Sequence, residues 1–455
     1  MVSADNLNLD VLELIFAYLS GHDLTCVGLV SRSFLAGAIP TLYRNIVYRL
    51  REAKAYDTIM SPFAVLLSHK GLSKHVRTID LQAIPRTNHL KIRPQPHSGF
   101  MRDCRKAIEL CDSLHTFRCT ESNVVPAFLM ALQNKPNLQQ IRLHGSLTPE
   151  QTKLLVNLNS GLTEVFLEYA SWNVVDALPK WTAGLHRSLQ SLVLYRTEEL
   201  NEGTLESILK ELPELKGLHV IQCPRVDQAT VLNLVSHTPA LEALSFTTME
   251  NGKPIGTIPP LPSLQHLALD ARYHKTPSPT PAILMTLLDN LKASAPTLSS
   301  FSIKLPERKI TIPPTFIDRL IEVYGTFLKK LSFLDCEVEL VSIEKIAEEC
   351  SFLERLDVSI PIRDVYAFAS TLGSAENLHT LVDVESHVAH GVHPSLNLEM
   401  VEYLMESVPS LRKVVSGRRV WVPEGIAEDF DGTVRLDRRL PYRSRPSWFL
   451  PATTM

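Results

Sequence analysis

The feature that most constrains the fold is a repeat. The pattern L-x-x-L-x-L, with Val, Ile or Phe allowed at its later positions, occurs as SLHTFRC (113–119), NLQQIRL (137–143), GLTEVFL (161–167), SLQSLVL (188–194), ELKGLHV (214–220) and ALEALSF (240–246). It continues as SLQHLAL (263–269), TLSSFSI (297–303), FLKKLSF (327–333), FLERLDV (352–358), NLHTLVD (377–383) and SLRKVVS (410–416). From Leu114 to Leu411 the first leucines advance in eleven steps with a mean of 27 residues. The last apolar positions alternate, which is the period of a strand that buries one face. Between the strands lie segments with helical spacing: 148–158, 203–212, 225–236, 314–324 and 343–350. In six units a proline (Pro136, Pro213, Pro239, Pro262, Pro296, Pro409) stands two residues before the first leucine, where it stops the helix and turns the chain towards extended geometry.

A period-27 alternation of strand and helix resembles the leucine-rich repeat, whose units run to ~20–29 residues. Cys223 and Cys336 occupy the Asn/Cys position that closes the repeat in the cysteine-containing class, while most other units are degenerate there. The expected fold is α/β, a curved solenoid with a parallel sheet on the concave side and helices on the convex side. A further copy, HVRTIDL (75–81), is a possible first repeat. The stretch 246–263 has no helical period, and a Pro/Ser/Thr-rich loop interrupts 269–297. The domain reading is a three-helix module at 1–50, a helical linker and N-cap at 51–110, the solenoid at 111–416, and a cap or disordered tail at 417–455.

Residues 7–50 stand outside the repeat. Placed on a helix, the apolar residues of LNLDVLELIFAYL (7–19) sweep roughly 200°, about twice the stripe a helix needs to cover one core. Three short helices expose more apolar surface than they can cover themselves, as a docking site does before its partner arrives. The run LNLDVLELIFAYL, then Asp23-Leu24, then VSRSF (30–34), then PTLYR (40–44), resembles an F-box, with Asn8 where the family commonly has proline. Its combination with leucine-rich repeats, and the phrase LLSHKGLSKHVRTIDL (66–81) between them, is similar to fungal F-box proteins.

That resemblance implies a non-catalytic substrate receptor. It would grip a Skp-type adaptor, and through it a cullin bearing the ubiquitin-transfer machinery. The residues carried over as adaptor-facing or module core are Leu7, Leu9, Leu12, Ile15, Leu19, Leu24, Val30 and Phe34. A leucine-rich-repeat scaffold that binds protein outside any ligase is the alternative. On the concave face, outward strand positions are expected to meet an unknown protein substrate. Phe166, Tyr169, Tyr195 and His219 are the aromatic candidates there, since aromatics among polar groups typify interface hot spots.

The remaining signals point away from other classes. A net charge of −3 with 21% charged residues suggests neither a nucleic-acid nor a membrane partner. The N-terminus lacks the basic stretch and apolar run of a signal peptide, and no stretch is apolar enough to span a membrane. Seven scattered cysteines without CxxC suggest reduced thiols in the cytoplasm or nucleus. There is no GxxxxGK[ST], GxGxxG or GxSxG, so no enzyme and no cofactor is suggested. His387, His390 and His393 read as a solvated loop rather than a metal site, and the arginine-rich tail 434–455 as a disordered end or a cap over the last repeat.

Overall fold

The computed structural model describes residues 8–19, 21–56, 58–87, 95–158, 161–275, 277–305, 310–384, 395–424, 434–439 and 447–451. The chain forms two compact units, Met1–Leu200 and Asn201–Met455.

The first unit opens with three helices, α1 (Leu9–Phe16), α2 (Gly21–Gly28) and α3 (Arg32–Leu42). Ser31 starts α3 as an N-cap, its hydroxyl accepting from the Phe34 amide at 3.2 Å. Asn8 caps α1 without a side-chain bond, and its φ of −61° is the value a proline ring would impose. The start of α1 therefore has the backbone geometry a proline at this position would give. Parallel strands follow at Asn45–Tyr48, Thr78–Leu81, Thr116–Cys119, Gln140–His144, Glu164–Glu168 and Ser191–Tyr195. The sheet thus begins at Asn45, and HVRTIDL supplies its second strand. Helices Ser98–Leu110, Pro126–Leu132, Pro149–Val156 and Trp172–Gly184 lie between strands.

The second unit continues the same alternation. Its parallel strands are Gly217–Ile221, Ala243–Thr248, His266–Ala271, Ser300–Lys304, Lys330–Leu334, Arg355–Val358, Thr380–Asp383 and Lys413–Ser416. No helix joins Ala243–Thr248 to His266–Ala271, as the aperiodic stretch 246–263 predicts. The sheet ends in antiparallel strands, Arg419–Pro423 and Val434–Arg439. Parallel leucine-rich units thus give way to two antiparallel strands, the last of which is the sheet edge.

All twelve first leucines, from Leu114 to Leu411, are buried, and the six helix-stopping prolines all sit in turns. Strand register stacks the core positions into rows, for example Phe117, Ile141, Val165 and Leu192 on four successive strands. Each repeat thereby covers its neighbour's apolar face, and full burial of one such leucine is worth about 2–3 kcal/mol.

A second device recurs at the strand ends. Tyr169, Arg196, Gln222 and Asp335 each follow a strand directly and have φ of 54°, 53°, 59° and 57°. A left-handed residue there swings the chain out of the sheet, at a cost of roughly 1–2 kcal/mol for a side chain with Cβ. Because the four residues share no composition, the sequence carries no glycine or asparagine signal for this turn.

Candidate functional site

The N-terminal module divides its wide apolar arc in two. Leu12 and Phe16 of α1 meet Leu24 of α2 and Ala38 of α3 in a small core, with Leu19, Val27, Phe34 and Leu42 packed around it. The Phe16 and Phe34 rings lie 5.4 Å apart. Gly37 lets α1 and α3 approach closely, since a Cβ there would sit 2.9 Å from Leu12 Cβ. The other half of the arc faces solvent: Val11, Leu14, Ile15 and Tyr18 are exposed, Tyr18 at 92% and Leu14 at 69%. Leu29, Val30 and Leu35 add to the exposed apolar residues of the module.

Of the residues singled out from sequence, Leu9, Ile15 and Val30 are therefore open to a partner. Leu12 and Leu24 form the module core, and Leu19 and Phe34 are partly buried against it. Leu7 lies outside the described residues. Val11, Leu14 and Tyr18 belong to the wide apolar arc read from the sequence but, like Leu29 and Leu35, are not among the residues carried over as adaptor-facing. The i, i+3, i+7 spacing of Val11, Leu14 and Tyr18 was a usable signal for one outward stripe.

On the sheet face turned away from the leucines, the aromatic candidates differ in accessibility. In the first unit Phe166 is buried beneath Arg142, whose guanidinium carbon lies 3.9 Å from the ring centroid. Arg142 is itself held by Glu168, with Nε and Nη2 donating to Oε1 at 2.7 and 2.6 Å, and both side chains are almost fully buried. Tyr195 is buried, whereas Tyr169 is 40% exposed. Tyr169 stacks on His144 at 5.3 Å between centroids, and the Arg196 Nη1 donates to its hydroxyl. The Arg196 guanidinium also lies 5.3 Å from the Tyr195 centroid. Tyr169 and Arg196 thus present a small amphipathic patch whose backing, His144 and Tyr195, restrains their rotamers. The expected four-residue open patch is reduced there to one open aromatic.

His219, in the second unit, is buried because the C-terminal segment lies on it. Phe449 is 0% exposed, and its ring centroid is 5.9 Å from that of His219. The Phe449 carbonyl accepts from Ser245 Oγ at 2.8 Å and from His266 Nε2 at 2.9 Å. Burial pushes the His219 pKa down to about 3, with His266 adding to the effect. Burial likewise pushes His266 down to about 4, with Lys330 in the same direction and the Phe449 carbonyl opposing it. Both imidazoles are accordingly neutral hydrogen-bonding groups near pH 7.

Among the described residues no group of three His, Cys, Asp or Glu side chains is placed to hold a metal ion, and no helix is long and apolar enough to cross a membrane. His387, His390 and His393 lie outside the described residues. Cys104, Cys111, Cys119, Cys223, Cys336 and Cys350 are buried free thiols, and burial pushes Cys111 and Cys350 up to about 12.

No protein-family model matches this chain, and no curated protein matches it in sequence. Among solved structures it is similar to the leucine-rich-repeat-containing protein LegL7 from Legionella pneumophila. That likeness has 14% identity and a TM-score of 0.41 over 65% of this chain and 100% of the other. It is similar also to the Rad7 and Elc1 complex in yeast, at 14% identity and a TM-score of 0.41 over 77% of this chain and 88% of the other. A likeness to the TLR13–ssRNA13 complex covers 75% of this chain but 47% of that one, at 16% identity and a TM-score of 0.33. The α/β leucine-rich-repeat solenoid rests on this chain's own parallel strands, intervening helices and 27-residue leucine period.

Proposed function

We propose that this chain is a non-catalytic receptor whose N-terminal module docks a Skp-type adaptor of a cullin-based ubiquitin ligase, while its repeats hold a protein substrate. The observation that carries the reading is the split arc of α1. Its inward half, Leu12 and Phe16, already completes the module's own core, and Val11, Leu14, Ile15 and Tyr18 stay outside that core and exposed among the described residues. An exposed apolar face on a module that already has a core is the mark of a docking surface. Catalysis would then require no reacting group on this chain. A receptor raises the local concentration of the substrate's lysines beside the transfer machinery, converting a bimolecular encounter into a local one. Six buried thiols and no disulfide among the described cysteines fit the reducing cytoplasm or nucleus where such ligases act.

The test is capture of purified Skp-type adaptor by the wild-type chain and by Leu14→Asp/Tyr18→Asp. Both positions are exposed, so the fold is expected to survive. Capture by wild type and its loss in the double variant, with unchanged circular dichroism, supports the reading. No capture by a folded wild-type chain sinks it.

A further inference from the structure

Five side chains, His219, Ser245, Ala268, Ser302 and Ser332, line up in register across five neighbouring strands of the second unit, on the face turned away from the leucines. Three serines and an alanine at successive positions leave a shallow trough where larger residues would fill the space. All five are nevertheless buried, and the Phe449 ring lies against the His219 end of the row.

The polar groups of the trough are arranged around one oxygen. The Phe449 carbonyl can only accept, so the Ser245 hydroxyl and the His266 Nε2–H must both donate to it. His219 Nδ1 lies 2.8 Å from Ser245 Oγ, and with the hydroxyl proton already engaged it must carry its proton on Nδ1 and donate. His266 Nδ1, 2.9 Å from Ser300 Oγ, then accepts from that hydroxyl. His219 and Ser300 therefore orient the two donors that meet the carbonyl. Further along the row Ser302 Oγ is buried and has no hydrogen-bond partner among the described residues. On the flank, Lys304 Nζ lies 5.8 Å from the Trp448 ring.

These donors address a backbone carbonyl, which any peptide supplies, and the trough beside them accepts an aromatic ring. The segment Ser447–Pro451 joins no β-ladder; it makes a turn, with the Leu450 amide donating to Ser447 O at 3.1 Å. Its departure would break no β-ladder hydrogen bond. We infer that the trough is a peptide seat, filled in cis by Ser447–Pro451, which takes a partner-protein segment of the same chemistry, an aromatic residue followed by a bulky apolar one, in exchange for the chain's own. This rests on the reading of the repeats as a protein-binding receptor and is independent of adaptor docking. Tethering gives the cis segment an effective concentration of about millimolar, so an incoming peptide binds the intact chain far more weakly than a chain whose segment has been freed.

The experiment uses the full chain with a protease site introduced at 441–446 and cut after folding, so the seat is never without its occupant during folding. A fluorescein-labelled peptide of sequence PSWFLPATTM is titrated by anisotropy, with no adaptor present. The expected result is at least tenfold tighter binding to the cut chain than to the uncut one, and at least tenfold weaker binding of the peptide carrying Phe449→Ala. A displayed peptide library panned on the cut chain is expected to enrich an aromatic residue followed by an apolar one. Retention of the cut segment without exchange against excess labelled peptide makes it a fixed strut and overturns the proposal. Equal binding of the Phe449→Ala peptide, or enrichment of unrelated sequences, overturns it as well. Adaptor capture is read separately, so it can fail or succeed without altering this outcome.

Discussion

Lowering the pH from 7 to 5 should loosen the second unit around His219 and His266. In the folded chain burial holds these imidazoles down to about 3 and about 4, against an ordinary value of 6.5. Between those values and 6.5 the unfolded chain binds more protons than the folded one, so unfolding free energy rises with pH in that window. The stability is therefore present above pH 6.5, is lost as pH falls below it, and stops falling below about 3. At pH 5 each histidine costs about 2 kcal/mol, or roughly 4 kcal/mol together, a factor of about a thousand in a local opening equilibrium. Hydrogen exchange of the amides in Ala243–Thr248 and His266–Ala271, corrected for intrinsic rates, reads that opening directly. The reference is His219→Asn/His266→Gln, which keeps an amide donor near each site and removes the titration. Wild type is expected to lose protection about a thousandfold more than the variant between pH 7 and 5. Equal losses in the two proteins, or imidazole resonances titrating near 6.5, would refute the assignment of neutral buried histidines.

Two substitutions test the first unit. Glu168→Ala leaves Arg142 buried without its carboxylate, and the loss is expected to be roughly 3–5 kcal/mol in urea unfolding, as for other broken buried pairs; a midpoint equal to wild type would show that the guanidinium escapes to water. Gly37→Ala places a Cβ 2.9 Å from Leu12 Cβ and 3.1 Å from the Phe16 ring. Overpacking of about 1–3 kcal/mol outweighs the helix-propensity gain of about 1 kcal/mol. Faster limited proteolysis within 9–42, with the repeats still protected, is the expected result, and unchanged cleavage would contradict the tight α1–α3 approach.

The repeat was legible because its signals are local and periodic. A leucine every 27 residues, alternation over a few residues and a proline before each strand all concern neighbours along the chain, and burial followed at every first leucine. The helix periods were readable in the same way: 314–324 forms the helix Pro314–Tyr324, and 343–350 overlaps Leu340–Glu349, with Cys350 as its C-cap. The aromatic candidates were less readable, because an outward strand position is accessible only if nothing else lies on it. Phe166 lies under Arg142 from the adjacent strand, and His219 lies beneath Phe449. The turns at Tyr169, Arg196, Gln222 and Asp335 escaped notice because their left-handed backbone falls on four different residue types with no glycine or asparagine among them.

By itself, then, the sequence determined a strand–helix solenoid, the identity of its buried leucines and the presence of surplus apolar surface near the N-terminus. Only tertiary structure decided which half of LNLDVLELIFAYL turns outward, since that depends on how closely α3 approaches at Gly37. Only tertiary structure, too, seated Phe449 on Ser245 and His266, partners 204 and 183 residues away in the chain. Period and composition report what a residue prefers among its neighbours in sequence. A contact across such separations is selected by shape and by donors and acceptors that meet only once the chain has folded.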